Sequence, residues 1–292
     1  MRNEFSRHIG KKLSDATQKL ADFKKPDVVV LVRPFTGEVI IQSNPLYVRG
    51  SYKKLVRDIP QSKWFCRQCH GEGCKNCNGT GKMYSESVEE IIAAPLLKKT
   101  EGDEVALHAA GREDVDARML GNGRPFILEI KRPKNRFMDL NEIEQAINEQ
   151  AKGKVEVLNL KSATKADIKR LKKGEGSTKV YKVFIDFDRD VSEEEMASVA
   201  EKLTKIVVHQ RTPLRVLHRR ADLVREKYIY EAYLKRLAPN RAEMKIRCQG
   251  GLYIKELVSG DEGRTVPSVA SITNAQAKPV DLDVLNVIME ES

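Results

Sequence analysis

A repeated cysteine pattern is the feature that most restricts how this 292-residue chain can fold. Residues 66–73 and 74–81 each begin with a Cys-x-x-Cys pair and continue through glycines, so one short unit occurs twice in succession. Each pair puts two thiolates on a tight turn, and two pairs supply the four soft ligands that tetrahedral zinc prefers. The spacing predicts a structural zinc site made by Cys66, Cys69, Cys74 and Cys77.

Four thiolates would close the coordination shell, so this site predicts stabilisation of the segment and no catalysis. His70 is a competing ligand, and an iron–sulfur cluster or a dithiol redox pair are alternatives for the same cysteines. The fifth cysteine, Cys248, stands alone. Clustered cysteines are typical of a metal site in a reducing compartment rather than of a disulfide framework, which predicts a cytoplasmic protein.

The charge of the chain predicts a polyanionic partner. Lys and Arg number 52 against 42 Asp and Glu, which gives a formal net charge of +10. Nucleic acid is the usual partner for such an excess, although a solvated basic surface is the alternative. No run of about 18 apolar residues is present, so no membrane span is predicted, and the N-terminus lacks the apolar core of a signal peptide.

Hydrophobic periodicity predicts an α+β fold with several antiparallel hairpins. Helices are expected near 4–20, 86–97, 139–150, 164–173, 192–206 and 252–258. Strands are expected near 28–32, 38–41, 155–160, 180–187, 207–217, 226–234, 242–249 and 281–289. Residues 113–131 predict a further hairpin, because Asn122-Gly123 is a typical two-residue turn. Pro95 is expected to end or bend the second helix.

An acidic motif lies in the segment GREDVDARMLGNGRPF at 111–126. Arg112, Asp114, Asp116 and Arg118 occur at two-residue spacing, which would place them on one face of a strand. Two interpretations follow from the residues alone, a reactive carboxylate site or a cross-strand ladder of opposite charges. The ladder is the more common arrangement, and such exposed pairs contribute little.

The same motif resembles the arginine–x–aspartate motif of pseudouridine synthases. The longer segment is similar to that of the archaeal Pus-ten family of tRNA pseudouridine synthases, and further segments match this family in order. They are SYKKLVRDIPQSKW at 51–64, the cysteine repeat with its GTGKMY tail, SVEEII at 87–92, LHRRADLVREK at 217–227 and GLYIKELVSGDEGRTVPS at 251–268. The resemblance runs from about residue 26 to the C-terminus.

The resemblance implies a pseudouridine synthase catalytic fold, with a central mixed and mostly antiparallel sheet, over residues 85–292. It implies that residues 1–84, which contain the four-cysteine zinc knuckle, are a truncated remnant of the THUMP-type accessory domain of archaeal members. The implied reaction converts uridine to pseudouridine at position 54, 55 or both of the tRNA T loop. Catalysis in the family needs no metal and no small-molecule cofactor.

The resemblance also implies roles for individual residues. Asp114 is the expected nucleophile, with Asp116 as the second choice, and Lys255 is expected to pair with Asp114. Tyr181 would lie against the flipped uracil. The residues expected to contact the substrate are Arg112, Tyr181, Ile254, Lys255 and Leu282.

Basic runs predict contacts with RNA phosphates, and the T arm of tRNA is the expected partner. The contacts expected next to the motif are Lys131, Arg132, Lys134, Arg136, Arg219 and Arg220. A third run ranks lower because the first two are expected closer to the predicted site, and it contains Lys169, Arg170, Lys172 and Lys173.

Two other classes of function fit parts of the same sequence. The cysteine repeat at 66–81 resembles the zinc region of DnaJ-type chaperones, which suggests a DnaJ-like module that binds unfolded protein. A non-catalytic, zinc-containing tRNA-binding protein would also explain the charge and the cysteines. Only the synthase hypothesis gives Asp114 an essential role, so substitution of Asp114 separates it from the other two.

Overall fold

Helices and strands alternate irregularly along the chain, which the computed structural model describes over residues 2–173 and 177–289. The helices are α1 Arg2–Thr17, α2 Val88–Thr100, α3 Leu140–Gln150, α4 Lys165–Lys173, α5 Glu193–Lys202, α6 Leu214–Leu217, α7 Ile254–Ser259 and α8 Val269–Thr273. The helices expected from periodicity all occur, and the very short α6 and α8 are additional.

Most of the strands form one large sheet. The strands are β1 Val28–Arg33, β2 Glu38–Ser43, β3 Leu46–Lys54, β4 Glu104–Ala109, β5 Arg118–Lys131, β6 Val155–Ala163, β7 Thr178–Phe187, β8 Ile206–Arg211, β9 Val224–Ala238, β10 Arg241–Gln249, β11 Thr265–Val266 and β12 Ala277–Ile288. The large sheet has the order β11-β8-β9-β10-β7-β12-β5-β3-β6, with β4 on β5, while β1 and β2 form a separate pair. Among the described strands only β12 and β5 pair in parallel, so the expected mixed, mostly antiparallel α+β fold is confirmed.

Local sequence explains the main elements. The side chains of β7 alternate between buried and partly exposed along its whole length, as expected for a strand with one face on the core. Helix α3 buries Ile143 and Ile147 against β6, which is the amphipathic pattern of a surface helix. Ser87 caps α2 by accepting a hydrogen bond from the Glu90 backbone N–H.

The hairpin expected over 113–131 is wrong, because residues 118–131 form the single strand β5. Gly121 and Gly123 have positive φ, +57° and +77°, and they bend the strand without reversing it. β5 pairs with β12 at Arg118 and Met119, and it pairs with β3 on both sides of the two glycines, with a shift of register between Met119 and Arg124. The glycines are needed for close approach, since a Cβ on Gly121 would lie 1.8 Å from the Leu285 carbonyl oxygen.

Two smaller expectations also differ from the structure. Helix α2 continues past Pro95 to Thr100, because Ile92 and Leu96 on either side of the proline are fully buried and hold the helix against the core. The strand expected over 207–217 ends at Arg211. Thr212-Pro213 then starts the short helix α6, consistent with the preference of proline for helix N-termini.

The N-terminal part of the large sheet comes from the segment 1–84 that was expected to be an accessory remnant. Strand β3 pairs with β5 on one side and β6 on the other. The first strand of the large sheet along the chain is therefore β3, which begins at Leu46, before the expected boundary at residue 84. Within the described ranges, no helix combines the length and the apolar character needed to cross a membrane.

Candidate active site

Asp114 lies in the loop of residues 110–117, which joins β4 to β5. The loop turns tightly at this point, since the Ala117 N–H donates to the Asp114 carbonyl oxygen at 3.0 Å. Arg112, Asp114 and Asp116 lie in the loop and not in a strand, so their two-residue spacing does not produce a cross-strand ladder. Arg118 begins β5 and pairs across the strands with Asp283 of β12 at 2.7 Å. The loop presents the side chains of Arg112, Asp114 and Asp116 individually, and each has its own set of contacts.

A buried polar network fixes the start of the loop. Glu113 and Arg124 form an ion pair at 2.8 Å, and both side chains are almost completely buried. The Tyr52 hydroxyl donates to Glu113 at 2.9 Å, and Arg124 also donates to the Ala110 carbonyl oxygen. Gln61 donates to the Gly111 carbonyl oxygen. A paired and hydrogen-bonded network of this kind holds one backbone conformation, because loss of any member leaves buried charge unpaired.

A second set of cations holds the part of the loop from Asp114 to Asp116. The amine of Lys54, which is fully buried, donates to the carbonyl oxygens of Asp114 at 3.2 Å and Val115 at 2.8 Å. Burial lowers the pKa of Lys54 to about 8. Arg57 donates to the carbonyl oxygens of Asp116 and Leu282, both at 2.8 Å, and so ties the loop to β12. Lys54 and Arg57 therefore fix the loop backbone that carries the Asp114 carboxylate.

Two cations approach the Asp114 carboxylate itself. Arg215 in α6 lies 3.2 Å from both carboxylate oxygens and also pairs with the buried Glu256 at 2.6 Å. Lys255 in α7 lies 3.6 Å from Asp114 Oδ2, but its closer contacts are with Asp116 at 2.7 and 2.8 Å. The pairing expected for Lys255 is thus shared with Asp116, and Arg215 makes the shorter contacts with Asp114.

The charges of these groups support one another. Burial raises the pKa of Asp116, but the hydrogen bond and charge of Lys255 outweigh it and hold this pKa below its ordinary value. Burial works against the charge of Arg215, yet Glu256 and Asp114 raise the pKa of its guanidinium overall. An ionised carboxylate between fixed cations suits a nucleophile or a base at a reacting carbon.

Asp114 opens onto a cavity of about 400 Å³ between β7, β12, α7 and the loop. Tyr181, Ile254, Leu282 and Val284 form its apolar part, and burial raises the pKa of the Tyr181 hydroxyl. The cations that line the cavity are Arg112, Lys179, Arg215, Arg220, Arg225, Lys227 and Lys255. An apolar slot surrounded by cations suits a planar base attached to a phosphate backbone.

The expected substrate contacts therefore come together in one place. Arg112, Tyr181, Ile254, Lys255 and Leu282 all line the cavity beside Asp114. Leu282 lines the cavity together with Val284 of β12, whereas the carbonyl of Leu285 packs on Gly121. Lys179 could have been found from sequence, because it lies two residues before Tyr181 on the same face of β7.

The expected phosphate contacts divide into two locations. Arg220 lines the cavity, and Arg219 is close enough to Arg112 for its charge to help lower the pKa of that guanidinium, after the larger effect of burial. The run 131–136 begins at the other end of β5. Met119 and Ile130 near the two ends of β5 pair with Lys54 and Leu46 of β3, which are about 27 Å apart along that strand. The absence of a hairpin explains this separation, since a hairpin would have returned the chain toward the motif.

Acidic neighbours occupy the cations of this distant run. Lys131 pairs with Glu104 at 2.8 Å, Arg132 pairs with Asp103, Lys134 lies 3.6 Å from Glu101, and Arg136 lies 3.3 Å from Asp27. In the third run Arg170 pairs with Asp167 at 3.2 Å, and the side chain of Lys173 lies outside the described residues.

The four cysteines of the repeat converge as their spacing predicted. Their sulfur atoms all lie within 4.8 Å of one another, and three of the pairs are separated by 3.7 to 3.8 Å. A tetrahedron with zinc–sulfur bonds of about 2.3 Å has sulfurs about 3.8 Å apart, so the residues fit zinc. Backbone N–H groups of Cys74 and Gly81 donate to the Cys77 sulfur and lower its pKa to about 6.

The glycines of the two units allow the knuckle to close. A Cβ on Gly73 would lie 2.6 Å from the Gly79 carbonyl oxygen, and one on Gly81 would lie 2.3 Å from the Gly71 carbonyl oxygen. Each unit thus packs a glycine against the other unit, which a larger residue would prevent. The ligand set and this packing make the knuckle a candidate metal site with a structural role.

The stem of the knuckle, residues 61–65 and 82–84, connects it to the cavity. Phe65 and Lys82 form an antiparallel bridge, and the Met83 N–H donates to the Trp64 carbonyl oxygen. The Trp64 ring lies edge-on to Tyr84 at 5.6 Å between centroids. The Arg112 guanidinium also lies over the Trp64 ring, 4.9 Å from its centre.

Several functional residues were missed by the sequence analysis. Lys54, Arg57 and Arg124 are hidden because an isolated basic residue in a strand or loop normally faces solvent. Arg215 stands two residues before the matched segment 217–227, so its role required the fold. Arg225 and Lys227 are inside that segment, and their basic character beside the run 218–220 was the available indication.

Comparison with known proteins places the chain among named relatives. The family model "Pus10, C-terminal" matches residues 47–288. The tRNA pseudouridine synthase Pus10 of Methanocaldococcus jannaschii is 48% identical, over 95% of this chain and 60% of that protein. The proteins of the same name from Methanothrix thermoacetophila and Archaeoglobus fulgidus are 44% and 43% identical, over 98% and 97% of this chain and 63% and 79% of those proteins.

Matches to solved structures are more distant. One chain of a Cbf5-Nop10-Gar1 complex is 12% identical with a TM-score of 0.45, over 82% of this chain and 50% of that chain. A pseudouridylate synthase is 14% identical with a TM-score of 0.29, over 90% of this chain and 80% of that chain. The chain spans about 60% of the length of the first curated relatives it matches.

Proposed function

The chain belongs to the Pus10 family, and we propose that it is a tRNA pseudouridine synthase with Asp114 as its nucleophile. The observation that carries the proposal is the position of Asp114, whose carboxylate lies between Arg215 and Lys255 at the wall of a cation-lined cavity. The relatives at 41–48% identity carry the name of this activity. The proposed target is the uridine at position 54, 55 or both of the T loop.

The reaction is an isomerisation. The N1–C1′ bond of the uridine breaks, the uracil turns within the cavity, and C5 forms the new bond to C1′. C5 loses its proton and N1 gains one, so the product has the same atoms as the substrate. Asp114 acts at the sugar, either as the nucleophile at C1′ or as a base, with Arg215 and Lys255 beside its carboxylate.

The remaining cavity residues bind and orient the nucleotide. A base in a folded loop must be flipped out before it can enter the cavity. Tyr181 offers a ring face to the flipped uracil, and Ile254 and Leu282 exclude water from the other side. Arg112, Arg219 and Arg220 contact the phosphates, while the cations of the distant run at 131–136 contact RNA only if the tRNA extends across the sheet.

The knuckle has a structural role in this proposal. Zinc held by Cys66, Cys69, Cys74 and Cys77 would stabilise the segment 64–84, and it takes no part in the isomerisation. A reducing cytoplasm, where tRNA modification takes place, keeps these thiols available for the metal.

Mapping of pseudouridine in tRNA transcripts tests the proposal directly. The wild-type protein is expected to form pseudouridine in the T loop, and Asp114→Asn is expected to abolish the product while keeping the thermal midpoint and the bound zinc. Asp116→Asn serves as the matched acidic control and is expected to retain activity. A product formed by Asp114→Asn at the wild-type rate would show that another residue is the nucleophile.

The same experiment separates the two rival classes. RNA binding without product in either protein would indicate a non-catalytic tRNA-binding protein. Binding to unfolded protein that depends on the knuckle and not on Asp114 would indicate a DnaJ-like module.

A further inference from the structure

The contact between Trp64 and Arg112 connects the cysteine knuckle to the cavity. Trp64 lies in the knuckle stem, two residues before Cys66, and Arg112 lies in the loop that carries Asp114. The guanidinium is 4.9 Å from the centre of the indole ring, within the range of a cation–π contact. We propose that Trp64 is a positioning residue, which holds Arg112 in the orientation that binds an RNA phosphate and makes that orientation depend on the folded knuckle.

The contact leaves the hydrogen-bonding groups of Arg112 available. Among residues 2–173 and 177–289, no carboxylate or carbonyl oxygen accepts a hydrogen bond from Arg112. A guanidinium that lies over a ring is fixed through its face, while its N–H groups remain in the plane at the edge. These in-plane donors match the oxygens of a phosphate group. Arg215 differs, because Asp114 and Glu256 already accept from it.

The knuckle determines where the Trp64 ring lies. The stem backbone is closed by hydrogen bonds from the Cys66 N–H to the Gly81 carbonyl oxygen and from the Met83 N–H to the Trp64 carbonyl oxygen. Tyr84 packs its ring against the indole from the opposite strand of the stem. Cys66 is a candidate metal ligand and takes part in one of these backbone hydrogen bonds. Loss of the metal would therefore release the Trp64 ring that orients Arg112.

The stem also contacts the loop of residues 110–117 at a second point. Gln61 donates to the Gly111 carbonyl oxygen at 3.1 Å and to the Tyr52 hydroxyl at 2.7 Å. Gln61, at the start of the stem, therefore fixes the backbone next to Arg112, and Trp64 fixes the side chain of Arg112. The orientation in which Arg112 binds phosphate therefore depends on the stem as well as on the loop.

The proposal rests on the proposed function for the identity of the RNA, and a binding experiment tests it without catalysis. The dissociation constant of a T-arm RNA hairpin is measured for wild type, Trp64→Leu, Arg112→Ala and the double variant. Trp64→Leu is expected to weaken binding about fivefold, which corresponds to a cation–π contact of about 1 kcal/mol. In the Arg112→Ala background the same change is expected to have less than a twofold effect, because coupled residues are not additive.

Phe65→Leu is the matched control. Phe65 belongs to the same stem and is exposed, but its ring faces Lys63 and not Arg112. This variant is expected to bind RNA within twofold of wild type. Equal losses from Trp64→Leu with and without Arg112 would show that Trp64 contacts RNA directly, and no loss from Trp64→Leu would show that Arg112 needs no positioning. Either result overturns the proposal.

Fluorescence gives a readout that depends on neither RNA nor activity, since Trp64 is the single tryptophan of the chain. Arg112→Ala is expected to change the emission of the RNA-free protein, and removal of zinc by a chelator is expected to change it as well. Chelation should weaken RNA binding of wild type by about the factor seen for Trp64→Leu, and it should affect Trp64→Leu itself by less than twofold. Equal effects of chelation on both proteins would overturn the coupling.

The proposed function and this inference can fail separately. If the T-arm hairpin is bound but no pseudouridine forms, the proposed function is wrong and the coupling is still decided by affinity. If the hairpin is not bound at all, the emission of Trp64 in wild type and Arg112→Ala decides whether the two side chains are in contact, and an unchanged emission overturns the inference.

Discussion

At the scale of single residues, the cations around Asp114 differ in how many other partners they have. Arg215 donates to Asp114 and to Glu256, and it lies close to the ring of Tyr253. Lys255 is occupied mainly by Asp116. The shortest contacts with the Asp114 carboxylate therefore come from a helix, α6, for which the sequence analysis had predicted the end of a strand.

Removal of Arg215 should consequently affect catalysis more than removal of Lys255. A hydrogen bond to a charged group contributes about 1.5 to 3 kcal/mol, so Arg215→Ala is expected to lower kcat about 10- to 100-fold. Lys255→Ala is expected to lower it less than tenfold, since Asp116 already neutralises most of that charge. Single-turnover rates of pseudouridine formation at saturating enzyme measure both variants.

Loss of Arg215 also leaves Glu256 buried without its partner, so the stability of the variant needs a control. Glu256→Gln keeps Arg215 beside Asp114 while removing the second charge, and Arg215→Lys keeps the charge while removing the fork of donors. Both are expected to fall between wild type and Arg215→Ala. A larger defect for Lys255→Ala than for Arg215→Ala would assign the main pairing with Asp114 to Lys255.

Lys54 predicts a pH dependence of stability. Burial lowers its pKa to about 8 in the folded chain, whereas an unfolded lysine has a pKa of about 10.4. Between these values the unfolded state binds more protons than the folded state, so Lys54 makes the free energy of unfolding rise with pH across this window. The total change is on the order of 3 kcal/mol. Below about pH 8 the folded chain bears the full cost of the buried charge.

Urea unfolding at several pH values between about 7 and 10 measures this slope. In Lys54→Met, the part of the rise in the free energy of unfolding with pH that comes from Lys54 is expected to disappear. The substitution should also destabilise the chain by roughly 1 to 3 kcal/mol, because the carbonyl groups of Ile59, Asp114 and Val115 lose their donor. Lys53→Met is the matched control, since Lys53 pairs with Glu156 on a partly exposed face. An unchanged slope in Lys54→Met would mean that another group titrates in this window.

At the scale of elements, strand β5 shows where local sequence and long-range packing diverge. Asn122-Gly123 between two apolar runs is a strong hairpin pattern, and most such patterns do reverse the chain. Here Gly121 and Gly123 serve the close approach of β12 and β3 instead, and those strands come from distant parts of the chain. No local window contains that information, so the prediction failed for a physical reason.

Substitution of Gly121 tests this explanation. Gly121→Ala is expected to destabilise the chain by more than about 2 kcal/mol, because positive φ and overlap with the Leu285 carbonyl act together. Gly153→Ala is the matched control, because Gly153 also has positive φ but a Cβ there would meet open space among the described residues. Its cost should be about 1 kcal/mol. Equal losses of thermal midpoint in the two variants would show that φ alone explains the need for Gly121.

At the scale of the whole molecule, the order of the large sheet was not predictable from the sequence. The helices and most strands follow from periodicity, but β12, the last strand, inserts between β7 and β5. This insertion brings Leu282 and Val284 to Tyr181 and Asp114. Asp114 and the five expected substrate contacts in the cavity were identified through the family resemblance of short motifs. Arg215 in the cavity wall, the buried Lys54 and Arg124, and the half-buried Arg57 became evident only from the packing.

The basic runs that were expected to contact RNA lie in different parts of the folded chain. The sequence analysis predicted that the basic run at 131–136 contacts RNA together with Arg219 and Arg220, because both runs were expected close to the site. In the folded chain the first run lies at the far end of β5 with acidic partners, and Arg220 lines the cavity with Arg219 near Arg112. A net charge of +10 is therefore less informative than the location of the cations without carboxylate partners.

Two double variants with the same change in net charge test this distinction. Arg219→Ala with Arg220→Ala is expected to weaken T-arm RNA binding about tenfold or more at physiological salt. It should also reduce the slope of log K against log salt by about 1.4 to 1.8, since each lost phosphate contact contributes about 0.7 to 0.9. Lys131→Ala with Lys134→Ala is expected to change affinity less than about threefold, because Glu104 and Glu101 already neutralise these amines. Equal effects of the two pairs would mean that RNA senses only the overall charge, and a larger effect at 131 and 134 would move the principal phosphate-binding surface to the far end of β5.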